Sequence, residues 1–226
     1  MTFRPKSWLG YILVICNDML MAVDHTYMAA FKGDLTSLTA KEMFARYVAP
    51  DICRGLTDVD QDRLREQIAD HFQLPTSNVM IVGSAKLGFT LRHKKAKNED
   101  EVDRPPFSEF SAGSDVDVAI VSDKLFDDIW KGCFNFWHTS GYANAPAYWP
   151  KGKDFREYFF RGWMRPDHLP SEGGFRYKRD WFDFFRLLTS SRAAGDYRIT
   201  AGLYREPYFL ESYQTIAINR CKAVVS

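Results

Sequence analysis

Ser114-Asp115-Val116-Asp117-Val118-Ala119-Ile120-Val121 is an apolar run broken by two carboxylates two positions apart, and it follows an earlier run, Asn78-Val79-Met80-Ile81-Val82, that ends in Gly83-Ser84. Short apolar runs bounded by turn residues predict buried strands. Successive side chains of a strand alternate faces, so Asp115 and Asp117 project to one side while Val116 and Val118 enter a core. Carboxylates at i and i+2 on one strand face can bridge divalent ions that lie roughly 3.5–4 Å apart in two-metal phosphoryl-transfer sites. Oxygen-only, water-rich ligation favours Mg2+ or Mn2+. Asp115 and Asp117 are therefore the candidate metal ligands and catalytic residues. A strand feeding Gly-Ser into a helical turn suits the phosphates of a nucleoside triphosphate. Glycine lets the backbone approach closely, and the Ser84 hydroxyl and the free amides of the turn donate to phosphate oxygens. Gly83, Ser84, Lys86 and Ser114 form the expected nucleotide-binding set.

Working outward, the chain of 226 residues is 46% hydrophobic and 26% charged, the profile of a globular protein able to bury a sizeable core. Lys and Arg total 30 against 29 Asp and Glu, so no whole-molecule field attracts nucleic acid or anionic membrane, and any basic surface is local. Cys16, Cys53, Cys133 and Cys221 show neither a CxxC pair nor a zinc spacing, which predicts reduced, mostly buried thiols in a cytoplasmic protein. The apolar stretch from Trp8 to Cys16 is cut by Asn17 and Asp18, far short of the roughly 20 residues that span a bilayer. It carries no clean signal-peptide cleavage site either. A buried first helix, and no membrane partner, is the expectation.

Apolar residues recur at three and four from Ser7 to about Lys32, predicting a helix that Gly33-Asp34 stops. Thr39 with Glu42 predicts a capping box. Thr57 or Asp58 caps a further helix lined by Leu64, Ile68 and Phe72, which Pro75 closes. Residues 91 to 109 pass from a basic to an acidic half without hydrophobic periodicity, as an exposed loop does. After the Asp115–Val121 strand, Ser122-Asp123 starts an amphipathic helix through Leu125, Phe126, Ile129, Trp130 and Phe134. Gly141 to Lys153 reads as a loop, Asp154–Met164 and Arg179–Ser190 as helices, Tyr197–Tyr204 as a third strand, and Tyr208–Val225 as a closing helix. The pattern predicts an α/β (α+β) fold: a small mixed sheet with flanking helices and helical N-terminal and C-terminal additions. The same pattern predicts a helical N-terminal segment over residues 1–74 packed on a core of residues 75–226, together one unit.

Ile81-Val82-Gly83-Ser84 followed by Ser114-Asp115-Val116-Asp117-Val118-Ala119-Ile120 resembles the signature of the nucleotidyltransferase superfamily, the group with a DNA polymerase beta-like core. The resemblance covers about residues 79 to 121. It implies a mixed sheet flanked by helices, a nucleoside triphosphate such as ATP as donor, and two magnesium ions. It also implies transfer of a nucleoside monophosphate to a hydroxyl on a protein, RNA or nucleotide acceptor. Enzymes of that superfamily usually carry a third carboxylate in a later strand, and Tyr197–Tyr204 contains none. Asp196 at its edge, and Asp180 and Asp183 in the preceding helix, are the candidates. Loss of one metal ligand would weaken activation of the attacking oxygen more than nucleotide binding.

Three readings follow, the third being a nucleic-acid-binding protein that uses the loop from Arg92 to Lys97. In the first, the chain is a magnesium-dependent nucleotidyltransferase. In the second, the fold persists as a binding or regulatory subunit, and the resemblance extends to toxin–antitoxin and antiphage systems. Of the other candidates, the basic cluster Arg92, Lys94, Lys95 and Lys97 is offset by Glu99, Asp100, Glu101 and Asp103 and reads as a solvated loop, although it could reach a triphosphate or RNA. His25 and His168 lack a nucleophile or metal spacing and read as surface or helix-end histidines. The aromatic run Trp130–Trp137 and the segment Arg161-Gly162-Trp163-Met164-Arg165-Pro166 read as core packing, with base stacking as the alternative.

Overall fold

A computed structural model describes residues 25–93, 95, 103–139, 149–171 and 175–225. The Trp8–Cys16 stretch, Lys94, Lys97, most of the acidic half of the charged loop and the first part of the Gly141–Lys153 loop lie outside the described residues. Among those described, no helix is long and apolar enough to cross a membrane.

Helix α1, His25–Ser37, buries Met28, Phe31 and Leu35 at three- and four-residue spacing. It runs through Gly33-Asp34 instead of stopping there. A helix-interior glycine costs about 1 kcal/mol, and burying Leu35, 2% exposed, one turn past Phe31 outweighs that. Thr39 then caps α2, Ala40–Met43, in the expected capping box: its amide donates to Glu42 at 2.8 Å and its hydroxyl accepts from the Glu42 amide at 3.2 Å. A wide turn at Phe44–Val48 continues α2. Thr57 caps α3, Asp58–Phe72, whose first-turn Asp58 and Asp60 complement the helix dipole.

Leu64 and Ile68 of α3 enter the main core beside Val79 and Ile81 of β1, Val79–Val82. Short helix α4, Gly83–Leu87, follows directly. Strand β2 covers Asp115–Val121, and Ser122 Oγ accepts from the Leu125 amide at 3.1 Å to start α5, Asp123–Thr139. The buried stripe of α5 is Phe126, Ile129, Cys133 and Phe136. Trp130 and Phe134, expected in the core, stand largely exposed one position off that stripe.

Helix α6 covers Gly152–Phe160 and ends before Trp163-Met164, which the sequence pattern extends into that helix. Those two residues form edge strand β3, paired with Tyr204 and Leu203. Two residues are too few to leave a periodic signal. Helix α7, Arg176–Ser190, leads to β4, Arg198–Tyr204, and Pro207 opens the last helix, α8, Pro207–Val225, where its missing amide costs nothing.

The sheet order is β1-β2-β4-β3, with β2 parallel to β4 and both outer pairings antiparallel. The expected mixed sheet with flanking helices is present. Val116, Val118 and Ile120 face the main core with α3, α5 and α7. On the other face Ala119, Val121 and Tyr204 pack under Leu210 of α8. Asp115 and Asp117 stand on this second face, toward the start of β2. Helices α1 and α2 join the body through Ile218 and Cys221 of α8, Leu87 at the end of α4 and Phe89 just after it.

Candidate functional site

Strand pairing decides what surrounds the two carboxylates. In the antiparallel β1/β2 pair Val82 lies opposite Asp117, so the chain leaves β1 as Gly83 beside that aspartate. Gly83 has φ +69°, and a Cβ built on it would stand 2.9 Å from Asp117 Oδ2. Only glycine meets both conditions, left-handed backbone and contact with a carboxylate. On the other side, the parallel register sets Arg198 opposite Asp115 and Thr200 opposite Asp117. Thr200 Oγ1 donates to Asp117 Oδ1 at 2.8 Å. Arg198 grips Asp115 with two bonds, Nε to Oδ1 at 2.9 Å and Nη2 to Oδ2 at 2.6 Å. That grip, with the further charge of Asp117, raises the Arg198 pKa and keeps the guanidinium charged.

These residues border a cleft of about 860 Å³. Val82, Gly83 and Ser84 form one wall, and Asp115, Asp117, Arg198 and Thr200 line it from the sheet. Arg92, Arg165 and Arg186 add positive charge around it, and Arg165 is held by Asp167 at 3.1 Å. Trp163 of β3 lies on the cleft face because Gly202 has no side chain: a Cβ there would meet the indole nitrogen at 2.6 Å. Its ring stacks on Tyr204 with centroids 5.7 Å apart and touches Tyr213 at 4.4 Å. Burial drives the Tyr204 phenol strongly upward, so it stays neutral.

Ser84 is one of the residues that line the cleft and is 8% exposed, and its buried hydroxyl has no hydrogen-bond partner among the described residues. A buried hydroxyl left unpaired costs about 1–3 kcal/mol, which a ligand oxygen at that point would recover. Gly83, Ser84, Asp115 and Asp117 are thus brought together in one cavity.

Lys86 and Ser114 are not among the residues that line it. Lys86 is 3% exposed on the buried side of α4, where its ammonium donates to the Pro50 carbonyl, and burial lowers its pKa. Two positions past Ser84, the turn of the helix carries this side chain away from the cleft. Ser114 is buried, and its hydroxyl accepts from the Ser111 amide at 3.2 Å and from Arg104 at 3.1 Å, fixing the entry to β2.

The candidates for a third carboxylate are engaged elsewhere. Asp196 pairs with Arg192 at 2.9 Å, Asp183 with Arg186 at 2.9 Å, and Asp180 lies near Arg176 and Arg179. Among the described residues, no group of three His, Cys, Asp or Glu could hold a metal. The donor set fits one magnesium-like ion that arrives with a triphosphate, since such ions are commonly held by one or two carboxylates plus phosphates and water. It does not fit an ion pair held by protein alone.

Arg198, Thr200, Trp163 and Arg92 border the site without having been singled out for it as a group. Their sequence signals were the alternation of Tyr197–Tyr204, the cation–aromatic run before Pro166 and, for Arg92, the basic cluster read mainly as a solvated loop. His168, read as a surface or helix-end residue, does end a short turn, Pro166–His168, but is buried at 5% exposure.

Fold and site together define a mixed α/β protein with an acidic pair and an arginine-rich rim in one cleft. No family model matches the chain, and neither the curated proteins nor the solved structures contain a match to it.

Proposed function

We propose that the cleft binds a nucleoside triphosphate and that the chain is a nucleotidyltransferase-type protein. It transfers the nucleoside monophosphate to a hydroxyl of a protein, RNA or nucleotide acceptor. The observation that carries this reading is the convergence of Gly83, Ser84, Asp115 and Asp117 on one cavity, together with the buried Ser84 hydroxyl that has no partner among the described residues. The acceptor oxygen attacks the α-phosphorus in line. The new O–P bond forms as the bond to pyrophosphate breaks, and the acceptor proton passes to water. Gly83 allows phosphate to approach the backbone, and Ser84 donates to a phosphate oxygen. Thr200 fixes the rotamer of Asp117 by its hydrogen bond. A divalent ion held by Asp115, Asp117 and the phosphates would supply charge neutralisation on the departing pyrophosphate.

Incubation with each labelled nucleoside triphosphate, Mg2+ or Mn2+, and protein and RNA acceptors tests this. Labelled product that disappears in Asp115→Asn and Asp117→Asn supports the reading, and undiminished product in the double variant refutes the mechanism.

A second reading draws on a separate observation: Arg198 holds Asp115, and Thr200 stands where a third carboxylate would face the pair. On that reading the protein binds nucleotide without transferring it and acts as a regulatory or antitoxin-like subunit in the cytoplasm. Saturable nucleotide binding with no labelled product from any acceptor would favour it.

A further inference from the structure

Arg198 is the least expected member of the cleft. A guanidinium carries five N–H donors. The two bonds to Asp115 use two of them, and among the described residues no other hydrogen-bond partner takes the rest. The side chain is 63% exposed and lines the same cavity as Ser84 and Asp117. An ion pair this exposed contributes little to folding, so stability alone is a poor account of a bidentate grip at the centre of a cleft. The grip does fix the guanidinium plane, and a fixed, planar, permanently charged group suits phosphate. Ser84, in the wall of the same cavity, carries a buried hydroxyl with no partner among the described residues, and a ligand oxygen that reached it would satisfy that donor.

We infer that Arg198 supplies the second positive charge of the nucleotide site: its free N–H groups bond phosphate oxygens directly, and one divalent ion completes the charge balance. This rests on the nucleotide reading above. Asp115 is then in part a positioning residue. Two of its roughly four lone-pair sites hold Arg198, and the others remain for the single ion.

The test uses the full chain and a non-reactive α,β-methylene triphosphate analogue, titrated calorimetrically in Mg2+ and again in EDTA. Bound Mn2+ is counted by electron paramagnetic resonance. The wild type should bind the analogue with one Mn2+ per chain and should retain measurable binding in EDTA. Arg198→Ala should weaken binding at least about tenfold in both media, as loss of charge-assisted hydrogen bonds implies. Arg198→Lys should recover part of the loss. Coincident thermal unfolding of the variants and the wild type shows that they fold, and the Mn2+ count on the wild type needs no variant.

Two Mn2+ per chain, or an Arg198→Ala affinity equal to wild type in EDTA, overturns the inference and leaves the nucleotide reading standing. If the wild type binds no triphosphate in either medium, the nucleotide reading itself fails and this inference with it.

Discussion

Replacing Gly83 by alanine perturbs the backbone and the acidic pair together, and the two effects can be separated. At φ +69° an L-residue pays about 1–2 kcal/mol. The added Cβ would also stand 2.9 Å from Asp117 Oδ2, whereas ordinary contact begins at 3.4 Å. The carboxylate must retreat by about half an ångström, which strains its 2.8 Å bond from Thr200. A hydrogen bond to a charged group contributes about 1.5–3 kcal/mol, so losing much of it brings the total to about 2–4 kcal/mol. Gly113 is the control: its φ is +83°, and a Cβ there meets nothing within 4 Å. Gly113→Ala therefore reports backbone strain alone, about 1–2 kcal/mol. Urea unfolding of both variants gives the difference, and titration with a triphosphate analogue gives its functional counterpart. Gly83→Ala should be the less stable and should lose nucleotide affinity, while Gly113→Ala keeps it. Equal stabilities together with equal affinities would refute the reasoning that Gly83 exists to seat Asp117.

The two remaining candidates on α4 should behave oppositely. Ser84→Ala removes an unpaired buried hydroxyl, so thermal stability should hold or rise while analogue affinity falls; lost stability with intact affinity would contradict the cleft assignment. Lys86→Met leaves the Pro50 carbonyl without its donor and should cost about 1–3 kcal/mol by urea unfolding, with affinity unchanged because the side chain faces away from the cleft. Burial pushes His168 below its ordinary value of 6.5, against the opposing pull of Asp167, and burial lowers His71 likewise. The unfolded chain then takes up these protons first as pH falls. Their contribution is complete above pH 6.5 and is lost as pH drops toward the lower folded values. The urea midpoint should fall between pH 7.5 and 5.5, and His168→Gln should shrink that fall.

Local chemistry made much of the architecture legible in the sequence. Thr39 with Glu42, Thr57 before Asp58, and Ser122 before Asp123 each place a hydroxyl where orphan helix amides need an acceptor, and each starts a helix. Alternation of valine and aspartate fixed which side of β2 meets the core, because strand side chains have no other choice. Elements failed to show where the signal was short or where tertiary burial outweighed a local preference. Two-residue β3 is too brief to show a period, and α1 crosses Gly33 to bury Leu35.

By itself, the sequence determined that an apolar strand ends in Gly83-Ser84 and that Asp115 and Asp117 share one face of a second strand. Those are consequences of backbone geometry within a few residues. Only the tertiary structure decided what stands against them. Long-range pairing of β2 with β4 put Arg198 on Asp115 and Thr200 on Asp117. The buried side of α4 took Lys86 out of the cleft, and α8 packed Leu210 over Ala119 and Val121 while its Tyr213, Gln214 and Ala217 came to line the cleft with the carboxylates. Register between strands 83 residues apart is set by packing of the whole sheet, and no local pattern encodes it.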